Sequence, residues 1–156
     1  MVLLELAQQL VVAFLGTVCF GLLFHVPPRH FVACGIAGAT GWLVYWGMMQ
    51  VQQSAVLASL VAVIPLTIAT RIFSIVHKAP VTLFLIPGIF PLVPGAGIYY
   101  TVYAFIMGDT AQCAAKGAET LKIAVALAMG IAVVVSVPIK TGFQPKQTSK
   151  EEATCK

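Results

Sequence analysis

The residues of this chain that could do chemistry are concentrated in one stretch: Pro87-Gly88-Ile89-Phe90-Pro91-Leu92-Val93-Pro94-Gly95-Ala96-Gly97, with three prolines and three glycines in eleven residues. Each proline removes a helical N–H and crowds the carbonyl four residues back, so the spacing predicts non-helical backbone from about Pro87 to Gly95. The stretch sits midway along an apolar run from Ala79 to Met107. Unsatisfied backbone in lipid is costly, so a break at this depth must be buried in protein or line a wet cavity. Discontinuous helices near the midplane are how many secondary transporters build their substrate sites.

The chemistry follows from the two helix ends such a break exposes. A half-helix from about Pro80 to Ile86 would end in free carbonyls, which attract cations. A second half-helix beginning near Ala96 would present the N–H groups of Ala96, Gly97 and Ile98, which attract a carboxylate. Glycines at Gly95 and Gly97 let a ligand approach the backbone closely. Tyr99 and Tyr103 share a helix face and Tyr100 points elsewhere. A phenol here can meet a substrate, pack, or anchor at an interface. The candidate substrate-binding residues are therefore Pro87, Gly88, Pro91, Pro94, Gly95, Ala96, Gly97, Ile98, Tyr99, Tyr100 and Tyr103.

Other chemistry finds little support. Cys19, Cys34, Cys113 and Cys155 form no CxxC pair and flank no His at zinc-ligand spacing, so no metal or other cofactor is expected and the thiols read as small hydrophobes. There is no GxxxxGK[ST] loop. His25, His30 and His77 sit at helix ends and read as interfacial. No enzymatic activity is expected. No Asp or Glu lies within an apolar core, where proton-coupled transporters commonly place one. A partner would have to supply such a group, or coupling takes another route.

The elements that must position the break are membrane helices. The chain has 156 residues, 60% hydrophobic and 9% charged, against about 25% charged in soluble domains. A span needs about 20 mostly apolar residues, and five would use roughly two thirds of the chain. The first run is Val2 to about Val26, stopped by Pro27 and Pro28; lacking a positive n-region, it reads as a retained helix. The second is Phe31 to Met49, with Trp42, Tyr45 and Trp46 placed for an aromatic belt. The third is Ser54 to Val76, with Arg71 snorkelling near its end. The broken fourth is Ala79 to Met107, and the fifth runs from about Thr120 to Val137. The reading is an all-α membrane protein of about five spans, a single transmembrane domain over 1–140 and a polar tail over 141–156. Close helix approach is expected at Ala37 and Gly41, Ala124 and Ala128, and Ala126 and Gly130.

With five crossings, one side collects Arg29, Arg71, Lys78, Lys140, Lys146, Lys150 and Lys156, and the other only Lys116 and Lys122. Basic residues favour the cytoplasm, so the N-terminus is expected outside and the C-terminus inside. The net charge of +4 marks topology, not nucleic-acid binding, because no basic face is interleaved with aromatics.

The sequence Lys78-Ala79-Pro80-Val81-Thr82, followed by Ile86 through the proline-glycine stretch to Tyr99-Tyr100, resembles the signature of the threonine/serine exporter (ThrE) family. Val26-Pro27-Pro28, Gly41-Trp42, Gly108-Asp109 and Lys116-Gly117 to Lys122 also fit its smaller membrane subunit, which in many bacteria is a separate chain. The resemblance implies a bacterial inner-membrane protein and a larger membrane subunit as partner. It also implies export of threonine and serine, or of dicarboxylates such as succinate in the split form. Two five-span halves of opposite orientation would make an inverted repeat. A non-transporting scaffold for a transporter partner is the rival reading.

Overall fold

The computed structural model describes residues 2–51 and 54–137. Gln52, Gln53, the stop at Pro138 and Lys140, and the tail at 141–156 lie outside the described residues. The described residues form helices joined by short turns: α1 (Val2–Leu23), a 3-10 turn (Pro28–His30), α2 (Phe31–Val51), α3 (Ala55–His77), α4 (Val81–Ile89), a second 3-10 turn (Phe90–Leu92), α5 (Gly95–Ile106) and α6 (Thr110–Ser136). Among the described residues four helices are long and apolar enough to cross a membrane. The α4–α5 pair, bent by 54° at its break, makes a fifth span if counted as one. This is an all-α, multi-pass membrane protein.

Each boundary has a local cause. Pro27 and Pro28 end the first span, with His25 in the left-handed region at φ 56°. Lys78 closes α3 in the same conformation, at φ 50°. The α5–α6 turn uses Gly108 at φ 76°, where a side chain would be strained. Asp109 then caps α6, its carboxylate accepting from the Gln112 N–H at 2.9 Å. This cap starts α6 at Thr110, ahead of the expected start at Thr120. The polar turns between carry the Lys116–Glu119 ion pair and are as helical as the apolar ones that follow.

Small residues on α2 set the packing. Ala33, Cys34, Gly35, Ala37, Gly38 and Gly41 are all buried. A Cβ at Gly35 would run into Phe14 of α1, and one at Gly38 into Thr17. A Cβ at Gly41 would sit 2.6 Å from Leu66 of α3. The α3–α6 contact uses Gly130, whose missing Cβ makes room for Val63. Thus the Ala37/Gly41 and Ala126/Gly130 positions do bring helices together, whereas Ala124 and Ala128 are exposed. Arg71 does not reach outward: its guanidinium donates to the Val134 carbonyl of α6.

Candidate functional site

The break is shorter than the prolines predict. Helix continues through Pro87 to Ile89 and as a 3-10 turn through Pro91 to Leu92, so only Val93 and Pro94 leave helical geometry. The expected non-helical stretch from Pro87 to Gly95 is thus corrected to two residues, for identifiable reasons. Pro87 leaves the Leu83 carbonyl without its usual donor, and the Cys34 thiol of α2 donates to that oxygen at 3.7 Å. Pro91 occupies the first turn of the 3-10 segment, where an N–H is not needed. At Pro94 the Phe90 carbonyl is instead taken by Val93 N–H at 3.2 Å. Val93 is extended at ψ 130°, and α5 starts at once with Gly95.

The two halves of the span sit differently. Pro87 and Gly88 are buried. A Cβ at Gly88 would lie 3.8 Å from Ala37 and 4.0 Å from Leu66, which is ordinary contact. Phe84 and Leu92 are buried as well, so α4 is wedged among α2, α3 and, at its end, α1. Phe90 stacks on Phe20 of α1 at 4.0 Å and meets Phe24 at 5.3 Å. By contrast α5 packs principally on α6. Gly97 lies against Thr120, with no room for a Cβ, and Gly117 lies against Thr101.

At the start of α5 the Gly95 N–H turns back to the Val93 carbonyl at 2.7 Å, and the Ile98 N–H bonds Pro94 at 3.1 Å. The N–H groups of Ala96 and Gly97 have no backbone acceptor among the described residues. Gly95 has nothing within 4 Å of where a Cβ would be. Two of the three expected donors are therefore open, and Ile98 is committed to its helix. Tyr99 and Tyr103 stack at 6.2 Å and 20°, and Tyr100 meets the edge of Tyr99 at 5.4 Å instead of standing apart. All three are exposed.

A cavity of about 230 Å³ adjoins the broken span at Pro91, lined by Val12, Ala13, Gly16, Phe20, Trp42 and Pro91. Of the candidate residues, Pro91 reaches it; Ala96, Gly97, Ile98 and the tyrosines do not line it. Its wall is apolar. Trp42 is held there by its indole N–H, which donates to the Gln9 side chain of α1 at 3.0 Å. Trp42, expected in an aromatic belt, thus also forms cavity wall. Phe20 and Gly16 carry no signal in the sequence, because each is an ordinary residue within an apolar run. Only the chain's tertiary path brings α1 to the break.

The comparison with known families bears on this broken span. The family model described as "Threonine/Serine exporter, ThrE" matches residues 9–137, which take in the whole break, most of the first candidate span and all of the others. The chain belongs to the ThrE family. A protein of Mycobacterium tuberculosis (strain ATCC 25618 / H37Rv) named "Probable threonine/serine exporter" is similar, 29% identical over 98 residues. The aligned stretch is 63% of this chain and 18% of that protein, so this ThrE-family chain spans under a fifth of that relative's length. No solved structure matches it.

Proposed function

We propose that the chain is a subunit of a secondary exporter for threonine and serine, working with a larger membrane subunit of the same family. The observation that carries this is the family match over residues 9–137, which includes the bent α4–α5 pair. Substrate binds at the break. Its carboxylate meets the open N–H groups of Ala96 and Gly97, where the positive end of the α5 dipole favours an anion. Gly95 leaves the approach clear. The tyrosines Tyr99, Tyr100 and Tyr103 border it, while Pro87, Gly88, Pro91 and Pro94 fix the bend, and Ile98 closes the first turn.

The need for a partner is supported by two features. The cavity at Pro91 has no ionisable group in its wall. The similar stretch is also a minor part of a much longer relative. The partner supplies the remaining wall of the site, and the two halves form an inverted repeat in a bacterial inner membrane. The N-terminus faces outside and the C-terminus the cytoplasm. Counterflow of labelled threonine in liposomes holding this chain and its partner tests the reading, and threonine-driven uptake is the expected result. Flux of succinate but not threonine would assign a dicarboxylate exporter. No flux of either in an assembled complex would assign a scaffold.

A further inference from the structure

His30, expected at the interface, is buried, with 2% of its surface exposed. Among the described residues its Nδ1 is the one buried side-chain polar atom without a hydrogen-bond partner. The ring ends the 3-10 turn between α1 and α2, and its Nε2 accepts from the Arg29 Nε–H at 2.9 Å. A nitrogen that accepts carries no proton, so the ring is neutral and its hydrogen is on Nδ1. A buried donor left unpaired is costly, so this imidazole is held in place by its neighbours and by the single Arg29 bond.

Those neighbours come from the elements that flank the start of the broken span. The His77 ring, at the end of α3, lies 5.1 Å away and edge-on. Phe84, fully buried in α4, lies 5.4 Å away and edge-on. His77 and Phe84 themselves meet at 5.8 Å. One imidazole therefore joins the α1–α2 turn, the end of α3 and the first half of α4.

The charges around it have one sign. Arg29 faces it from its own turn. The end of α3 presents His77, with Lys78 next along the chain. From α2 the titratable group is the Cys34 thiol, on the far side of the Phe84 cluster and bonded to Leu83. The facing part of α4 is apolar, and His25 at the end of α1 is exposed. The described carboxylates lie elsewhere: Glu5 begins α1, Asp109 caps α6 and Glu119 is in the first half of α6. A proton could enter His30 only at Nε2, displacing the Arg29 bond. It would put a cation against a guanidinium with no carboxylate beside it among the described residues.

We propose that His30 is a proton-binding site whose occupancy releases the α1–α2 turn from α4. The packed arrangement fits the neutral ring and the loosened one fits the imidazolium. Packing is therefore retained above the ordinary imidazole range and lost as pH falls below it. Because α4 and its 3-10 turn run as one piece from Val81 to Leu92, release at its start is felt at the break. The inference stands without the transport reading, since it concerns packing of the chain itself.

Amide exchange of residues 81–86 tests it, measured on the full chain in lipid nanodiscs from about pH 8 to about pH 5, with each rate divided by the intrinsic chemical rate. Protection in the unaltered chain is expected to fall by about tenfold or more as pH falls below the ordinary imidazole range, the change that one unit of difference in proton affinity produces. His30→Gln is expected to abolish that pH dependence. Should His30→Gln fail to fold, His77→Gln, an exposed position, is expected to move the transition to higher pH by removing a like charge. Protection independent of pH in the unaltered chain would overturn the proposal. So would an unchanged transition in a folded His30→Gln chain, or, failing that variant, in His77→Gln.

Discussion

The two halves of the broken span are built to opposite specifications. Residues of α4 are enclosed by α1, α2 and α3, with Phe84, Pro87 and Gly88 buried and even a carbonyl freed by proline taken up by a thiol. Residues of α5 lean on α6, and Tyr99, Tyr100, Tyr103, Phe105 and Ile106 are exposed. Both halves are strongly apolar in sequence, so composition does not set the difference. Shape does: α2 offers α4 a trough of glycines and alanines with α3 closing over it, whereas α5 packs principally on α6, with Gly97 against Thr120 and Gly117 against Thr101. One half is an anchor, and the other starts in a helix end whose Ala96 and Gly97 N–H groups are open.

The comparison is broken most severely at the anchor. Gly38→Leu has to displace Thr17 between α1 and α2, and Gly41→Leu has to displace Leu66. Overpacking of this kind costs about 1–3 kcal/mol or more, and each is expected to lower the detergent melting temperature sharply or prevent folding. Gly88→Ala, with its nearest contact at 3.8 Å, is expected to be tolerated in the same assay. An equal loss at Gly88 and Gly38 would show that α4 is not seated as described.

A smaller effect is expected at the loose half. Gly97→Ala runs into the Thr120 hydroxyl. It is expected to destabilise by about 1 kcal/mol or more and to be partly rescued by Thr120→Ala, giving a coupling of roughly 0.5 kcal/mol or above in a double-mutant cycle. Additive effects would separate α5 from α6. Gly97 is thus a packing glycine as well as a donor, and Gly95→Leu, projecting into open space, is the cleaner way to obstruct the site.

Much of this arrangement could be read from residue types alone. Pro27-Pro28 ends the first span, Lys78 ends the third, and three prolines among glycines mark the break. What could not be read is what tertiary contacts decide. Pro87 stays helical because Cys34, 49 residues from Leu83 in sequence, meets the freed carbonyl. His30 is buried because α3 and α4 close over it. The early start of α6 was hidden by its polarity, since a capped helix needs no apolar stripe until it reaches the membrane. The break itself was legible and its length was not, because prolines at first-turn positions cost little.

The smallest effect expected is at that thiol. Cys34→Ala removes a weak donor and a little volume, and is expected to cost about 1 kcal/mol. In a Pro87→Ala background the cost is expected to shrink, because the backbone N–H restored at that position can supply the Leu83 carbonyl from within the helix. A cost unchanged by Pro87→Ala would leave the thiol with packing alone.

The central claim is that α5 presents its first N–H groups to substrate while α4 stays closed. Substrate protection tests it most directly. In the chain freed of its native cysteines and assembled with its partner, Ala96→Cys and Ala37→Cys are labelled by a small thiol reagent with and without threonine. The account expects Ala96→Cys to react readily and to be slowed by threonine, and Ala37→Cys, buried between α2 and α4, to react slowly with no effect of threonine. Labelling of Ala96→Cys at the same rate with and without threonine, in a complex that transports it, would contradict the account.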